Sequence, residues 1–421
     1  MFRIFFACAF FLCAISWPQS AHSAELRVGF DQSIASALTA APALRARLAQ
    51  TRAAQEDAAR ASALPDPKLT LAIDNLPVTG RDAFDFHADE MTMKRIGVMQ
   101  EFPARAKRRA QQTLADRLVD EAQALGAAEQ LSVRRSTAQA WIALWAAERE
   151  LAAVHGLREQ SLLAIRLAKV RLANGAGSAA DAMATQAEGL ALDNRIEGDA
   201  AALEAARAGL ARWLNVDAQG LGTRGPPPDL DNLPFAESAL LDSVEAQAPL
   251  LAWQSREASA EAAVALAAAQ KHPDWSLGAG YGQRAGDRSD MLTVEFSIDL
   301  PLFTANRQDR GIAARRADLD AVAEAHEEAR RAQLQAVREA LAQWQGLKRQ
   351  IARKQGEMLP LAHDRSQVAV ATYRGGGELQ PWLAARGDEI ALQVDLAKEL
   401  AELGRAWAAL AFLLPSKQVQ P

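Results

Sequence analysis

Asp290-Met-Leu-Thr-Val-Glu-Phe-Ser-Ile-Asp-Leu300 places an apolar side chain at every second position. Leu292, Val294, Phe296, Ile298 and Leu300 fall on one side, and Thr293, Glu295, Ser297 and Asp299 on the other. Period-two alternation marks a strand with one apolar and one polar face. Asp274-Trp-Ser-Leu-Gly-Ala-Gly-Tyr-Gly282 does the same with smaller residues. There Trp275, Leu277, Ala279 and Tyr281 oppose Ser276, Gly278, Gly280 and Gly282. About 200 residues earlier, Leu69, Leu71 and Ile73 oppose Lys68, Thr70 and Asp74. A fourth run, 91–102, is less regular because Lys94 and Arg95 blur its faces. The expectation is four strands, at about 68–75, 91–102, 274–283 and 290–300.

Runs of about ten residues are long enough for a tilted strand to cross a bilayer. Trp275 and Tyr281, near opposite ends of their run, suit the aromatic girdles of such a strand. Inside hydrocarbon every backbone N–H and C=O must be paired, so a spanning sheet has to close. Membrane barrels use at least about eight strands, and this chain offers four. If the strands span a membrane, several chains must share one barrel. Alternation alone fits equally well a small soluble sheet, or two hairpins packed on helices.

The flanking segments weigh against a compact soluble domain. Residues 104–174 contain no proline, and glycine only at Gly126 and Gly156. An unbroken helix there would be about 100 Å long. Residues 305–374 repeat the pattern, with Pro360 as the expected kink. Leu144, Leu151, Ile165 and Leu172 fall at multiples of seven, and Leu334, Val337, Leu341 and Trp344 follow 3-4-3 spacing. Both patterns predict coiled-coil-type packing. Shorter helical runs, 178–215 and 378–414, return from tight turns, and 31–63 and 236–271 lead into the strand pairs.

The chain therefore carries one pattern twice: helix, two strands, very long helix, turn, helix. Leu172 aligns with Tyr373, Gly175 with Gly376, and Phe102-Pro103 with Leu300-Pro301. The expected organisation is a first repeat at 25–219, a linker at 220–235 containing Pro226-Pro227-Pro228, a second repeat at 236–415, and a tail at 416–421. Residues 1–24 read as a secretory signal, with Arg3, the apolar run Ile4 to Ile15, and cleavage after Ser23 or Ala24. Cys8 and Cys13, the only cysteines, lie inside it, so the mature chain is expected to have no disulfide and no cysteine nucleophile. The formal charge of −5 becomes about −6 once Arg3 is removed, which offers nothing to attract nucleic acid. No later stretch has the 18 uninterrupted apolar residues of a transmembrane helix.

With these features the chain resembles the TolC-type outer-membrane efflux factors over essentially its whole mature length. Leu300-Pro-Leu-Phe303 followed by Asn306-Arg-Gln308 resembles the strand-to-helix junction of the branch serving cobalt–zinc–cadmium and related heavy-metal exporters. Gly175-x-x-Ser178-x-x-Asp181 after Leu172 resembles that family's periplasmic tip. The second tip keeps Tyr373 and Gly376 but carries Leu379 and Trp382 where a small hydroxyl residue and an acid are common. The resemblance implies a mainly α fold with a small β part. Three chains would share a twelve-stranded outer-membrane barrel continued by an α-helical barrel in the periplasm. The implied partners are two further copies, a periplasmic adaptor (membrane fusion) protein, an inner-membrane pump of the resistance-nodulation-division type, and outer-membrane lipid. No catalytic chemistry and no cofactor are implied.

On that reading Leu172, Gly175, Ser178, Asp181, Tyr373 and Gly376 form the adaptor-contact tip. Asp181 and Glu378 are candidate acids at the tunnel mouth, where threefold symmetry turns one carboxylate into a ring that attracts cations. Glu295 and Asp299 face the lumen, and Leu292, Val294, Phe296 and Ile298 face lipid. Capping alone also accounts for the tip: Gly175 and Gly376 as left-handed helix ends, Ser178 as an N-cap, and Asp181 in the first turn. His87 lies in a loop beside Asp85, Asp89 and Glu90, where a weakly held divalent metal is conceivable. His326-Glu327 lacks the second histidine of a zinc-protease motif, because Arg330 occupies its place. The expected function is a passive efflux conduit for heavy-metal cations. The alternatives are organic cargo such as drugs, or a soluble periplasmic coiled-coil scaffold or adaptor.

Overall fold

The computed structural model describes residues 26–378 and 380–415. The expected signal with its two cysteines, Leu379 and the tail at 416–421 lie outside the described residues. In chain order the elements are β1 (Leu26–Val28), α1 (Phe30–Ala40), α2 (Pro42–Arg60), β2 (Lys68–Asp74), β3 (Met93–Phe102), α3 (Arg105–Ala173) and α4 (Ala179–Leu214), then β4 (Leu221–Thr223), α5 (Glu237–Asp242), α6 (Trp253–Ala269), β5 (Trp275–Arg284), β6 (Met291–Ile298), α7 (Gln308–Arg353), α8 (Leu359–Arg374) and α9 (Gln380–Ala411).

The expected run at 31–63 divides into α1 and α2, because Pro42 lacks the N–H that would continue the first helix. α3 is continuous for 69 residues. Its counterpart contains one irregular turn. Before Pro360 the chain makes one wider turn, Lys354–Met358, in which the Leu359 N–H reaches the Lys354 carbonyl. A π-type turn of this kind absorbs the residue that cannot donate, so α7 passes into α8 without a break. Lys354 Nζ holds this turn to Glu399 Oε1 on α9 at 2.7 Å.

Packing arranges the elements in three tiers of four. The strands form a single antiparallel sheet in the order β2-β3-β5-β6. Beneath it α2 packs on α3, α3 on α6, and α6 on α7. In the tier furthest from the sheet, α4 packs on α3, α3 on α9, and α9 on α8. Each tier takes two elements from each repeat, and α3 runs through both helical tiers. This layered sheet-plus-long-helix architecture matches the expected mainly α class with a small β part.

The main core lies about midway along α3, where both repeats meet the linker. The buried Trp141 indole donates to the Val28 carbonyl at 2.9 Å. Trp344, its counterpart in the second repeat, donates to the Leu230 carbonyl at 2.9 Å, and Trp407 donates to Asn232 at 2.8 Å. A buried indole needs such a partner for its N–H. The linker is thus a packed element: β4 pairs in parallel with β1, and Leu221 and Leu230 are buried.

One ionic clamp holds α7 against the segment before β5. His326 stacks on Trp253 at 5.4 Å, with Nδ1 2.6 Å from Glu257 Oε1 and Nε2 2.9 Å from Glu245 Oε2. Carboxylates only accept, so both contacts are hydrogen bonds only when the ring is the doubly protonated imidazolium. Burial pushes the imidazole's pKa down, but Glu257 and Glu245 together outweigh it and leave the group above its ordinary value. The clamp's stabilisation is therefore complete below an unfolded pKa of about 6.5 and is lost as pH rises through the higher folded value. Melting followed by circular dichroism should show stability falling across that window in the wild type, and His326→Gln should remove this component of the pH dependence.

Candidate functional site

The register of the sheet sorts its side chains into two faces. Leu69 and Leu71 lie opposite Val98 and Ile96, which lie opposite Ala279 and Tyr281, which lie opposite Val294 and Leu292. Leu277, Phe296, Trp275 and Ile298 extend the same face. Four strands thus join one apolar surface. Leu292 is 76%, Val294 68%, Phe296 64% and Ile298 46% exposed, so none of the described residues covers it. A continuous apolar patch of this kind marks contact with lipid or protein. Near the helices, Phe102 and Trp275 stack at 4.1 Å with Phe296 beyond them. At the far end Tyr281 donates to Asp290.

The register also resolves the ambiguous strand. Lys94 belongs to the apolar face at its outer end, with its ammonium 5.7 Å from the Phe86 ring. Arg95 points to the polar face and pairs with Asp74 at 2.9 Å. On that face Gly278, Gly280 and Gly282 of β5 leave room for side chains of β3. A Cβ at Gly282 would lie 2.6 Å from Met93 Sδ. Glu295 shares a hollow of about 200 Å³ with Thr70, Arg95 and Thr293. Asp299 was expected within the strand but lies one residue beyond β6. It lines a neighbouring hollow with Lys68, Glu101 and Ser297. Cations share this face with the carboxylates: Lys68 pairs with Glu101 at 3.6 Å and Arg95 with Asp74.

One residue ties the sheet to the helices. Asp274 accepts from the Ala104 N–H at 2.7 Å and from Lys107 Nζ at 2.6 Å, while its carbonyl accepts from the Asp299 N–H at 2.8 Å. The strand-to-helix passages of both repeats thereby meet on one residue, the first at its carboxylate and the second at its main-chain carbonyl. Asp274 appeared in the sequence only as the start of a strand, since its partners lie up to 170 positions away.

At the opposite end both long helices finish in the same backbone motif. After α3, the Ala176 N–H reaches the Arg171 carbonyl at 2.9 Å and the Gly175 N–H reaches Leu172 at 3.1 Å, with Gly175 at φ +69°. After α8, the Gly377 N–H reaches Thr372 at 3.0 Å and the Gly376 N–H reaches Tyr373 at 3.0 Å, with Gly376 at φ +96°. Each is a Schellman motif, whose left-handed position favours glycine. Ser178 caps α4, its Oγ accepting from the Asp181 N–H at 3.0 Å.

The two turns stand side by side. Tyr373 stacks on Trp382 at 5.6 Å, and the Arg171 guanidinium lies 5.3 Å from the Tyr373 ring while donating to the Ala176 carbonyl. A cleft of about 200 Å³ brings Asp181 and Glu378 together with Arg171 and Ser178. Leu172 is partly exposed beside them. Arg171 was not singled out from the sequence, and an aromatic seven residues before a helix start carried no local signal for it. Above the second turn, Glu389 of α9 is buried against His363 Nδ1 at 2.9 Å and against Arg386. Burial pushes this carboxyl up, yet the bonds from His363 and Arg386 prevail and hold it below its usual value.

Among the described residues no group of three or more His, Cys, Asp or Glu is arranged to hold a metal, and His87 approaches only Asp85, at 3.8 Å. No helix among them is long and apolar enough to cross a membrane. Residues 240–415 match the family model described as outer membrane efflux protein. The outer-membrane channel OprN superposes with a TM-score of 0.77 at 19% identity, covering 91% of this chain and 89% of that one. The fold is that of a TolC-like outer-membrane channel. CusC, described as forming a transmembrane channel, superposes at 0.76 with 15% identity over 93% and 96% of the two chains. The outer membrane protein VceC of Vibrio cholerae superposes at 0.73 with 19% identity over 91% and 96%. No curated protein matches this chain. In this fold the left-handed glycines shape the two turns. Gly376→Val should cost ~1–2 kcal/mol at its left-handed position and speed local amide exchange around Gly377 about tenfold, while leaving exchange at Trp344 unchanged.

Proposed function

We propose that the chain is the outer-membrane component of a tripartite efflux system, a passive conduit from periplasm to exterior assembled from three copies. The observation that carries this reading is the four-stranded sheet, with an uncovered apolar face and two unpaired edges, mounted on helices about 100 Å long. Three such sheets supply the twelve strands of a closed barrel, in which Leu292, Val294, Phe296 and Ile298 meet lipid and Glu295 and Asp299 meet the lumen. The helices continue the wall through the periplasm. The turns at Gly175 and Gly376, with Leu172, Ser178, Asp181 and Tyr373, form the edge that meets the adaptor, which connects the conduit to a pump of the resistance-nodulation-division type. The reading assigns the chain no catalytic step and no cofactor.

Heavy-metal cations are the proposed cargo. The support is the likeness of the Leu300-Pro-Leu-Phe303 junction to the metal-exporter branch, together with the carboxylates of Glu295, Asp299, Asp181 and Glu378. Arg171, which lines the same cleft as Asp181 and Glu378, tempers the charge at the mouth and keeps organic cargo as the competing reading. A soluble scaffold would need no apolar sheet face.

Two experiments test these readings. Phe296→Arg puts a charge on the apolar face of β6 and should destabilise membrane assembly by ~2–4 kcal/mol, whereas Ser297→Arg, on the polar face, should be tolerated. The readout is the amount of detergent-extracted trimer in the outer-membrane fraction; equal yields from the two variants would sink the barrel. Deleting the gene should lower tolerance to zinc, cobalt, cadmium or copper. Unchanged metal tolerance with new sensitivity to organic toxicants would transfer the cargo assignment to drugs.

A further inference from the structure

Methionine is unevenly placed in this chain. Of its 7 methionines, Met91, Met93, Met99 and Met291 fall within the two strand pairs and their connecting loops. The register puts Met93 and Met99 of β3 and Met291 of β6 on the face shared by Thr293, Glu295 and the β5 glycines, away from the leucines and valines. A thioether side chain is apolar, so the apolar face would be its ordinary place.

The glycines decide where one sulfur lies. With no side chain at Gly282, Met93 leans across β5, and its Sδ sits 2.6 Å from where a Cβ on Gly282 would be. Gly282 is the direct cross-strand partner of Met291. The Cβ positions of such partners are about 4.5–5.5 Å apart, so the Met93 sulfur stands roughly 5 Å from Met291 Cβ. The Met291 side chain, with three rotatable bonds, can close that gap with its own sulfur. Gap-filling over a glycine accounts for Met93. It does not account for Met291, which opens β6 on the same face and is 37% exposed.

The charged groups nearby are already engaged. Asp74, opposite Met93 on β2, pairs with Arg95 at 2.9 Å. Arg284, opposite Met93 on β5, donates through Nε to the Ser289 carbonyl at 2.7 Å. The donors left for a metal ion beside Gly282 are therefore sulfurs.

We propose that Met93 and Met291 form a two-thioether site for a soft monovalent metal cation, Cu(I) or Ag(I), on the lumen wall near the outer end of the sheet. A neutral thioether has no charge to offer a divalent ion and binds through its polarisability, which suits a soft monovalent one. Two neutral donors also hold an ion loosely enough to release it, as passage requires. The site's place in a lumen rests on the conduit reading, and the site narrows the proposed heavy-metal cargo to soft monovalent ions.

Silver nitrate titrated calorimetrically into the detergent-extracted protein, in chloride-free buffer, tests the site. Met93→Leu combined with Met291→Leu should weaken silver binding by at least about tenfold, the low end of what disturbing a metal's ligand set costs. Leucine keeps the apolar bulk over Gly282, so this variant should still assemble. Met183→Leu with Met358→Leu, which removes two thioethers from the helical part, should leave silver binding unchanged. Zinc nitrate should show no binding that depends on Met93 and Met291. In the wild type, bound silver should protect Met93 and Met291, but not Met183, from sulfoxide formation by brief peroxide treatment, read by peptide mass mapping. Silver binding indifferent to the Met93–Met291 change, zinc binding lost equally with it, or equal oxidation of both methionines with and without silver would overturn the site. A membrane trimer with any of those results leaves the conduit standing, whereas silver held at this pair by a water-soluble monomer would keep the site and remove the conduit.

Discussion

An antiparallel sheet of four strands leaves one row of backbone donors and acceptors open along β2 and another along β6. In water such edges are hydrated; in hydrocarbon each unpaired group costs several kcal/mol. The exposed leucines, valine and phenylalanine of this sheet make water an equally poor neighbour for its outer face. Backbone pairing and side-chain burial are both met in the proposed assembly, in which other chains complete the sheet in a membrane. The tiers below follow from the sheet, because helices that continue the strands inherit their lateral order: β2-β3-β5-β6 above, α2-α3-α6-α7 beneath, α4-α3-α9-α8 at the tip.

The two repeats are held in register at the tryptophan belt. Trp141 reaches back 113 residues to Val28, and Trp344 reaches back 114 to Leu230. The same indole-to-carbonyl bond is made twice over nearly the same span of chain, which is what duplication of one unit produces. Trp407 adds a third bond to the linker, so the segment between the repeats is built into the core. The clamp at His326 and the staple at Asp274 lie between this belt and the sheet. The Asp274 staple sits where strand passes to helix and main-chain groups need partners.

At the tip the repeats have kept backbone shape and changed chemistry. Both long helices close with the same pair of hydrogen bonds and a left-handed glycine. The first turn then presents a serine cap and a carboxylate, and the second an aromatic pair, with Arg171 spanning the two. A threefold assembly built from such a chain has six turns of two alternating kinds, so a docking partner meets a surface of threefold and not sixfold chemical symmetry.

The local patterns were legible in residue order. Alternation at 290–300 and 274–282 marked β6 and β5, the proline-free stretch at 104–174 marked α3, and Gly175 and Gly376 marked the turns, because each is set by neighbours within a few positions. The pairing of β3 with β5, which makes one sheet of two hairpins, joins residues nearly 200 positions apart and left no mark in either segment. The wider turn before Pro360, the Asp274 staple, the His326 clamp and the bridge made by Arg171 were likewise decided only on folding. A periodicity reports which side of an element is apolar. Which element covers that side, and which distant carboxylate meets which cation, depends on a three-dimensional arrangement that no local window of the chain contains.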